Sequence, residues 1–391
     1  AGLRLDVHLP SQVPHMSRHK AQGLIKDGHV TVNGSVKTKA RYVVKVHDVI
    51  VCGIPPPPPV EAIPEDIPLE VVYEDSHLLV VNKQAHLVVH PAPGNYTGTL
   101  VNALLHHLQL PAVTVTLGNQ LPKGLVEVSD NDDDGDVGED GDLAAVGISN
   151  TVTGSRHPDE HTRGGTKDEV PNDSESRKGG DQPVVIRPGI VHRLDKGTSG
   201  LMVIAKDDRT HNGLCDQFAA RTVKRAYVAI TCGAPDPSRG RVEAPIGRHS
   251  RDRKKMAVVD LSSPGARHAA SKYMTWEELA GGGAALVEWR LETGRTHQIR
   301  VHARHIGHPL LGDETYGGGA AAAASAIGRG GKYIKPNEVR RLVNSVLQRP
   351  ALHALTLGFI HPVTGEELYF KSKPPEDFKS AVDTLRNANP D

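Results

Sequence analysis

Apolar positions in the first fifty residues fall first at helical and then at strand spacing. Ala21, Leu24 and Ile25 stand at i, i+3 and i+4 behind Ser17, a natural cap, and Gly28 is a natural stop, so a short helix is predicted there. His29–Val32 reads as a strand, Asn33-Gly34 as a tight hairpin turn, and Val36–Val51 as further strand. Five consecutive prolines, Pro55–Pro59, follow as a stiff spacer. They set the first unit at residues 1–53 and a Pro-rich linker at 54–68. Leu69–Tyr73 and Leu78–Asn82 then flank the turn Glu74–His77, which predicts a β-hairpin of buried apolar runs. Strand-like segments resume at Val184 and run to about Phe370 with few helices between them. The second unit, residues 69–375, is therefore expected to be α+β, with 376–391 as a C-terminal tail. Two stretches break the pattern. Residues 118–183 are rich in Gly, Asp, Ser and Thr without periodicity, the signature of a disordered surface insert. Gly317–Gly331, rich in Gly and Ala, reads as a second insert.

Composition narrows the classes. A chain of 391 residues exceeds one ordinary domain of about 100–200 residues. With 38% hydrophobic residues, 40 Gly and 28 Pro, part of it is expected to lie outside any packed core. No apolar run approaches the ~18–20 residues of a membrane helix, so no membrane partner is expected. Cys52, Cys215 and Cys232 are far apart and form no C-x-x-C pair. That excludes a zinc ribbon or disulfide scaffold and suits a reducing compartment. The net charge of zero conceals an asymmetry: residues 118–183 carry 16 acidic and 6 basic residues, and the rest of the chain 40 basic and 30 acidic. A basic body is what a polyanion-binding protein needs. Arg18, Lys20, Lys37, Lys39 and Arg41 stud the first unit. The chain opens on Ala1 with no initiator Met, and no secretory or twin-arginine signal stands at its start.

The most specific segment runs His192-Arg193-Leu194-Asp195-Lys196-Gly197-Thr198-Ser199-Gly200-Leu201 and continues as apolar strand to Ala205. It places an Asp at the end of a polar turn, where a side chain is held at the mouth of a cleft. By itself an Asp there could equally close an Asx-turn. Four further segments stand in order: Arg221–Ala229 around Tyr227, Leu291-Glu292-Thr293-Gly294-Arg295-Thr296-His297-Gln298-Ile299-Arg300-Val301-His302, Gly307–Asp313, and Leu352-His353-Ala354. Together they resemble the RluA/RluD family of RNA pseudouridine synthases, over roughly residues 69–116 and 184–375. Arg4-Leu5-Asp6, Ser17-Arg18, Gly28–Gly34 and Asp48-Val49-Ile50 resemble the S-four RNA-binding domain. Three positions depart from these patterns: His47 and His86 where Gly is usual, and Gln84 where Pro is usual.

The resemblance implies a mixed, mainly antiparallel sheet with a central RNA cleft, plus a small N-terminal α/β domain. It implies that Asp195 is the carboxylate that attacks or stabilises the reacting centre, that Arg300 keeps it charged, and that Tyr227 lies beside the uracil. On residue type alone Arg300 also suits a phosphate contact and Tyr227 a strand core. Arg193 is expected to occupy the space of a flipped base, or to bind phosphate. His192, Arg295, His297 and Gln298 are expected RNA contacts beside the five basic residues of the first unit. The reaction breaks the ribose–N1 bond, turns the base and rejoins it through carbon 5, with nothing oxidised. No cofactor is needed, and the chain shows no G-x-x-x-x-G-K-[ST] loop. His297, His302 and His305 are spaced by five and three, unlike a H-E-x-x-H site, so no metal is expected. Cys215 and Cys232 read as small core residues.

The expected partner is RNA, with large-subunit ribosomal RNA leading and transfer or messenger RNA open, and the expected state is a monomer. A non-catalytic ribosome-assembly factor is the competing reading. It is disfavoured because Asp195, Tyr227 and Arg300 are all present. A glycosidase would need a second carboxylate. The low-complexity inserts point to a plastid or mitochondrion, with the cytoplasm as the alternative.

Overall fold

A computed structural model describes residues 2–13, 16–55, 60–92, 95–115, 189–252, 255–329 and 334–388. The acidic stretch 118–183, with its expected disorder, lies outside the described residues, as do prolines 56–59 of the spacer. The chain divides into two compact units, one built on the residues up to Val60 and the other beginning at Glu61.

The first unit comprises α1 (Leu5–Gln12), α2 (Arg18–Lys26), β1 (Val30–Val32), β2 (Ser35–Val36) and β3 (Ile50–Cys52), with the strands antiparallel in the order β2-β1-β3. Leu5, Leu9, Ala21, Leu24, Ile25, Val30 and Val32 form its core. Ser17 caps α2 by accepting the Lys20 amide at 3.1 Å. Asn33 and Gly34, at φ 51° and 75°, supply the paired left-handed residues of a two-residue hairpin. Helix α1 escapes the sequence pattern because Pro10 lies inside it and its buried side carries the polar Asp6 between Leu5 and Leu9. The strand expected over Val36–Val51 is mostly loop. Asp48 organises that loop, accepting Lys45 N at 2.9 Å, Tyr42 OH at 3.0 Å and Asn33 Nδ2 at 2.8 Å, and such local bonds compete with a ladder.

The second unit runs β4 (Val60–Ala62), β5 (Glu70–Glu74), β6 (Leu78–Lys83), α3 (Leu100–His107), β7 (Val113–Val115), β8 (Gly189–Ile190), β9 (Ser199–Ala205), α4 (Asp208–Ala219) and β10 (Lys224–Cys232). It continues through β11 (Arg239–Glu243), β12 (Ile246–Arg248), β13 (Met256–Val258), β14 (Ala270–Leu279), β15 (Ala284–Leu291), α5 (Gln298–His305) and α6 (Ala320–Arg329). Then come α7 (Pro336–Arg341), a π-helical turn over Leu342–Leu347, β16 (Leu352–Ile360), β17 (Glu367–Lys371) and α8 (Glu376–Arg386). The main sheet is ordered β11-β14-β15-β10-β16-β9-β6-β5, with β17 beside β16 and β8 beside β9. The β16–β9 pair is parallel and the other described pairs are antiparallel, so the mixed, mainly antiparallel α+β architecture is found.

Four expectations change. The hairpin β5–β6 forms, but only β6 is buried, because β5 is the sheet edge and leaves Val71 and Val72 exposed. The second half of the linker is bound: Asn102 on α3 donates to Ile63 O at 2.8 Å, and Glu65 N donates to Asn102 O at 3.0 Å. Most of Gly317–Gly331 is the helix α6, whose Ala323, Ala324 and Ile327 are buried with β10 and α7. The expected tail is also core. Phe378, Ala381, Val382 and Leu385 of α8 lie in that same cluster at i, i+3, i+4 and i+7. Alanine-rich and charged helices hide in composition because their narrow buried stripe is diluted by small or polar residues.

Candidate active site

Asp195 stands in the loop between β8 and β9, and the loop is gripped on three sides. Its turn is closed by Thr198 N donating to Asp195 O at 3.0 Å. Lys196 O accepts the His86 amide at 2.7 Å, and Gly197 O accepts Arg349 Nη1 at 3.1 Å. The loop then enters β9 through Gly200 at φ 120°, where a Cβ would sit 2.3 Å from Ala354 O. Only glycine lets β9 pass so close to β16.

About a fifth of the Asp195 side chain is open to solvent. Its Oδ2 receives Arg300 Nη1 at 3.1 Å and faces His297 Nε2 at 3.8 Å. Burial works to raise the carboxyl pKa, yet His297, Arg300 and Arg193 together bring it below the ordinary value. Arg300, on α5, is 6% exposed and also grips Asp313, Nε to Oδ2 at 2.7 Å and Nη2 to Oδ1 at 3.1 Å. Its guanidinium lies 5.0 Å from the centre of the Tyr316 ring. Gly312 precedes Asp313 at φ 81°, with Arg349 O 2.1 Å from where its Cβ would be, so the approach again requires glycine.

Tyr227 is buried on β10 at a register shift against β16, and such irregularities aim side chains. Burial first, with the charge of Asp195 adding to it, pushes its phenol pKa up, while Arg225 acts the other way. The expected constellation of Asp195, Arg300 and Tyr227, with Arg193 and His297, is thus assembled electrostatically around one carboxylate. Such an arrangement keeps a partly open carboxylate ionised.

Other expected RNA contacts are placed differently. His192 is turned inward: its Nε2 accepts Val203 N at 3.0 Å and its ring stacks on Phe218 at 4.8 Å. Burial, then Arg225, push its pKa down to about 3, so it is a neutral structural ring. Gln298 is 3% exposed and fully engaged. It donates to Ala270 O and Ser271 Oγ at 2.9 and 2.7 Å, and accepts from Thr293 Oγ1 and Arg295 N at 2.6 and 3.0 Å. The polar atoms of Gln298 are all engaged within the fold, whereas His192 Nδ1 is buried without a hydrogen-bond partner. Arg295 is half-buried, with Nε on His268 O at 3.1 Å. His302 is buried on Ser271 Oγ and Ala244 O, both at 3.0 Å. No His/Cys/Asp/Glu cluster fit for a metal occurs among the described residues. In the first unit Arg18, Lys39 and Arg41 are exposed, Lys20 is half-buried, and Lys37 lies 5.2 Å over the Tyr42 ring. Arg18 is steadied by the buried Asp6 at 3.1 Å, which Gln22 and Arg4 also bond.

Sequence reasoning passed over four residues: Lys83, Asp313, Tyr316 and Arg349. Lys83 is 1% exposed and donates to Gln84 O, Leu87 O and Lys196 O at 2.9, 2.8 and 3.5 Å. Burial pushes its pKa down to about 7, Asp195 raises it, and three carbonyls suit an ammonium. The signals available were a Lys closing an apolar strand and an Arg before a Pro, neither specific alone.

The comparisons place this fold and site in a class. The family profile described as RNA pseudouridylate synthase matches residues 150–305, and that described as S4 domain matches residues 3–50. The chain is similar to "RNA pseudouridine synthase 2, chloroplastic" of Arabidopsis thaliana, 46% identical over 388 residues, 99% of this chain and 81% of that protein. Its counterpart in Oryza sativa subsp. japonica is 44% identical over 375 residues, 95% of this chain and 76% of that protein. "Ribosomal large subunit pseudouridine synthase D" of Zymomonas mobilis subsp. mobilis is 37% identical over 389 residues, 99% and 95%. The chain belongs to the RNA pseudouridine synthase family. It is an RNA-binding isomerase that converts uridine to pseudouridine.

Proposed function

We propose that Asp195 supplies the carboxylate of this isomerisation, with Arg300 holding it ionised and Tyr227 beside the uracil ring. The observation that carries this reading is the 3.1 Å contact of a partly open Asp195 with a buried Arg300 that is itself locked to Asp313. In the reaction the N1–C1′ bond breaks, the C5–C1′ bond forms, the proton on carbon 5 leaves to water and N1 takes one up from water, so atoms balance without oxidant or reductant. Arg193 stands close enough to lower the Asp195 pKa, which suits a side chain that steadies a flipped nucleotide. Large-subunit ribosomal RNA is the proposed substrate and the plastid the proposed location, supported by the names of the Zymomonas and plant relatives. Arg18, Lys20, Lys37, Lys39 and Arg41 are the proposed first-domain RNA contacts, each expected to lower the salt sensitivity of binding when neutralised.

The test uses ribosomal RNA tritiated on uridine carbon 5. Wild-type protein is expected to release tritium without added cofactor, and Asp195→Asn to bind the RNA and release none. Release by Asp195→Asn at the wild-type rate overturns the assignment. Binding without release by either protein, on ribosomal and transfer RNA, would favour a non-catalytic factor.

A further inference from the structure

We infer that the Tyr316 hydroxyl fixes the tautomer of His297 so that its Nε2–H faces Asp195, making Tyr316 and His297 a positioning pair for the reaction. The inference rests on reading Asp195 as the reacting carboxylate. His297 takes a left-handed backbone at φ 54° immediately before α5 and is 6% exposed, so its ring orientation is set by its surroundings. The Tyr316 oxygen accepts Met256 N at 2.9 Å and lies 2.8 Å from His297 Nδ1. A phenol carries one proton. With one lone pair taken by the Met256 amide, its proton has a single acceptor among the described residues, His297 Nδ1. Burial raises the Tyr316 pKa, which keeps that proton on the oxygen.

The consequence follows from imidazole chemistry. If Nδ1 accepts, the proton of a neutral ring sits on Nε2, which lies 3.8 Å from Asp195 Oδ2; in the charged ring, whose field lowers the Asp195 pKa, Nε2 carries its proton likewise. The opposite tautomer would set a lone pair against the carboxylate. Arg300 Nη1 meets the same Oδ2, so both side chains stand at one carboxylate oxygen. The hydroxyl has a second attachment. Met256 begins the second strand of the β12–β13 hairpin, and its amide docks on the same oxygen. Tyr316 also lies against Arg300 through its ring and bonds Asp313 through its amide at 3.2 Å, neither of which needs the hydroxyl.

Tyr316→Phe therefore removes the hydroxyl alone. Single-turnover tritium release and RNA Kd would be measured for Tyr316→Phe, His297→Gln, their double variant, His297→Asn and Asp195→Asn. Gln places its amide near the Nε2 position, whereas Asn stands in for Nδ1. Tyr316→Phe is expected to slow release on the order of tenfold with Kd unchanged. In the His297→Gln background it is expected to cost nothing further, and His297→Asn should be slower than His297→Gln. Wild-type release by Tyr316→Phe, additive losses in the double variant, or equal rates for His297→Gln and His297→Asn overturn the inference. So does a Tyr316→Phe defect that lies in Kd and persists in the His297→Gln background, since the hydroxyl then serves the hairpin. Should Tyr316→Phe not fold, the comparison of His297→Gln with His297→Asn decides alone. Asp195→Asn separates the two readings: release by that variant removes the carboxylate assignment, while its silence beside a fully active Tyr316→Phe removes only the tautomer pair.

Discussion

Arg300 faces Asp313 with two of its three nitrogens, Nε at 2.7 Å and Nη2 at 3.1 Å, and this fork sets the plane in which Nη1 meets Asp195. A planar guanidinium can bridge two carboxylates in fixed geometry, and a lysine ammonium cannot. Arg300→Lys is therefore expected to lose tritium release by on the order of a hundredfold while keeping its charge. Asp313→Asn is expected to lose comparable activity and roughly 3 kcal/mol of stability, because it leaves a buried cation short of its partner. Single-turnover rates and denaturant melts check both. A wild-type rate for Arg300→Lys would show that charge alone suffices.

A second ion pair reaches the same loop from the far end of the chain. Arg349 is 3% exposed and bonds Asp377 on the first turn of α8 at 2.5 and 2.9 Å, while its Nη1 holds Gly197 O. Removing residues 376–391 strips Phe378, Ala381, Val382 and Leu385 from the core and is expected to give insoluble protein. The milder Asp377→Ala is expected to fold, melt several degrees lower, and release tritium more slowly with unchanged RNA affinity. A truncated protein with a wild-type melt would return 376–391 to the status of a tail.

The sequence made the motif around Asp195 and the sheet visible for different reasons. The proposed chemistry of the Asp195 turn lies in consecutive residues, and β6, β9, β10 and β16 are continuous apolar runs whose burial follows from their length. What stayed hidden depends on residues far apart. Asp313 and Tyr316 look like loop residues until α5 brings Arg300 and His297 to them. Arg349 acquires meaning only once α8 closes on it. His192 and Gln298 differ in the other direction. They sit in the motif segments, yet β9 takes His192 Nε2 and β14 takes the Gln298 amide group, and both side chains lie inward. Adjacency in a motif says which segment matters, not which way each side chain turns.

His47 and His86 stand where glycine is usual in the patterns they resemble, and both keep the left-handed backbone, at φ 71° and 68°. The turns survive and the side chains bear the strain. His47 is exposed and its turn is closed by Asp48 N on Lys45 O, so its ring contributes little to packing. His47→Gly is expected to stabilise the first domain by about 0.5–1 kcal/mol, the left-handed penalty relieved less the added chain entropy. His47→Ala, which retains a Cβ, should show no such gain. Equal denaturation midpoints for His47→Gly and wild type would mean that the His ring compensates its own strain.

Buried imidazoles make the fold sensitive to acid. His353 is fully buried between Ser199 Oγ on Nδ1 and Ser372 Oγ on Nε2, each at 2.9 Å, and burial pushes its pKa down to about 4. Burial also pushes His90 to about 4 and His192 to about 3. A histidine whose folded pKa is depressed binds fewer protons in the native than in the unfolded chain. Its stability contribution is therefore complete above the unfolded value near 6.5 and is lost as pH falls toward the folded value. For His353 the loss by pH 5 is on the order of 2 kcal/mol, one and a half pKa units of differential proton binding. The melting temperature is expected to hold between pH 7 and 8, to fall steadily from about pH 6.5 to 4, and to fall less in His353→Gln than in wild type. A melting curve flat from pH 7 to 5 would mean that these rings take up protons in place, with Ser199 turning its hydroxyl to accept the new Nδ1–H.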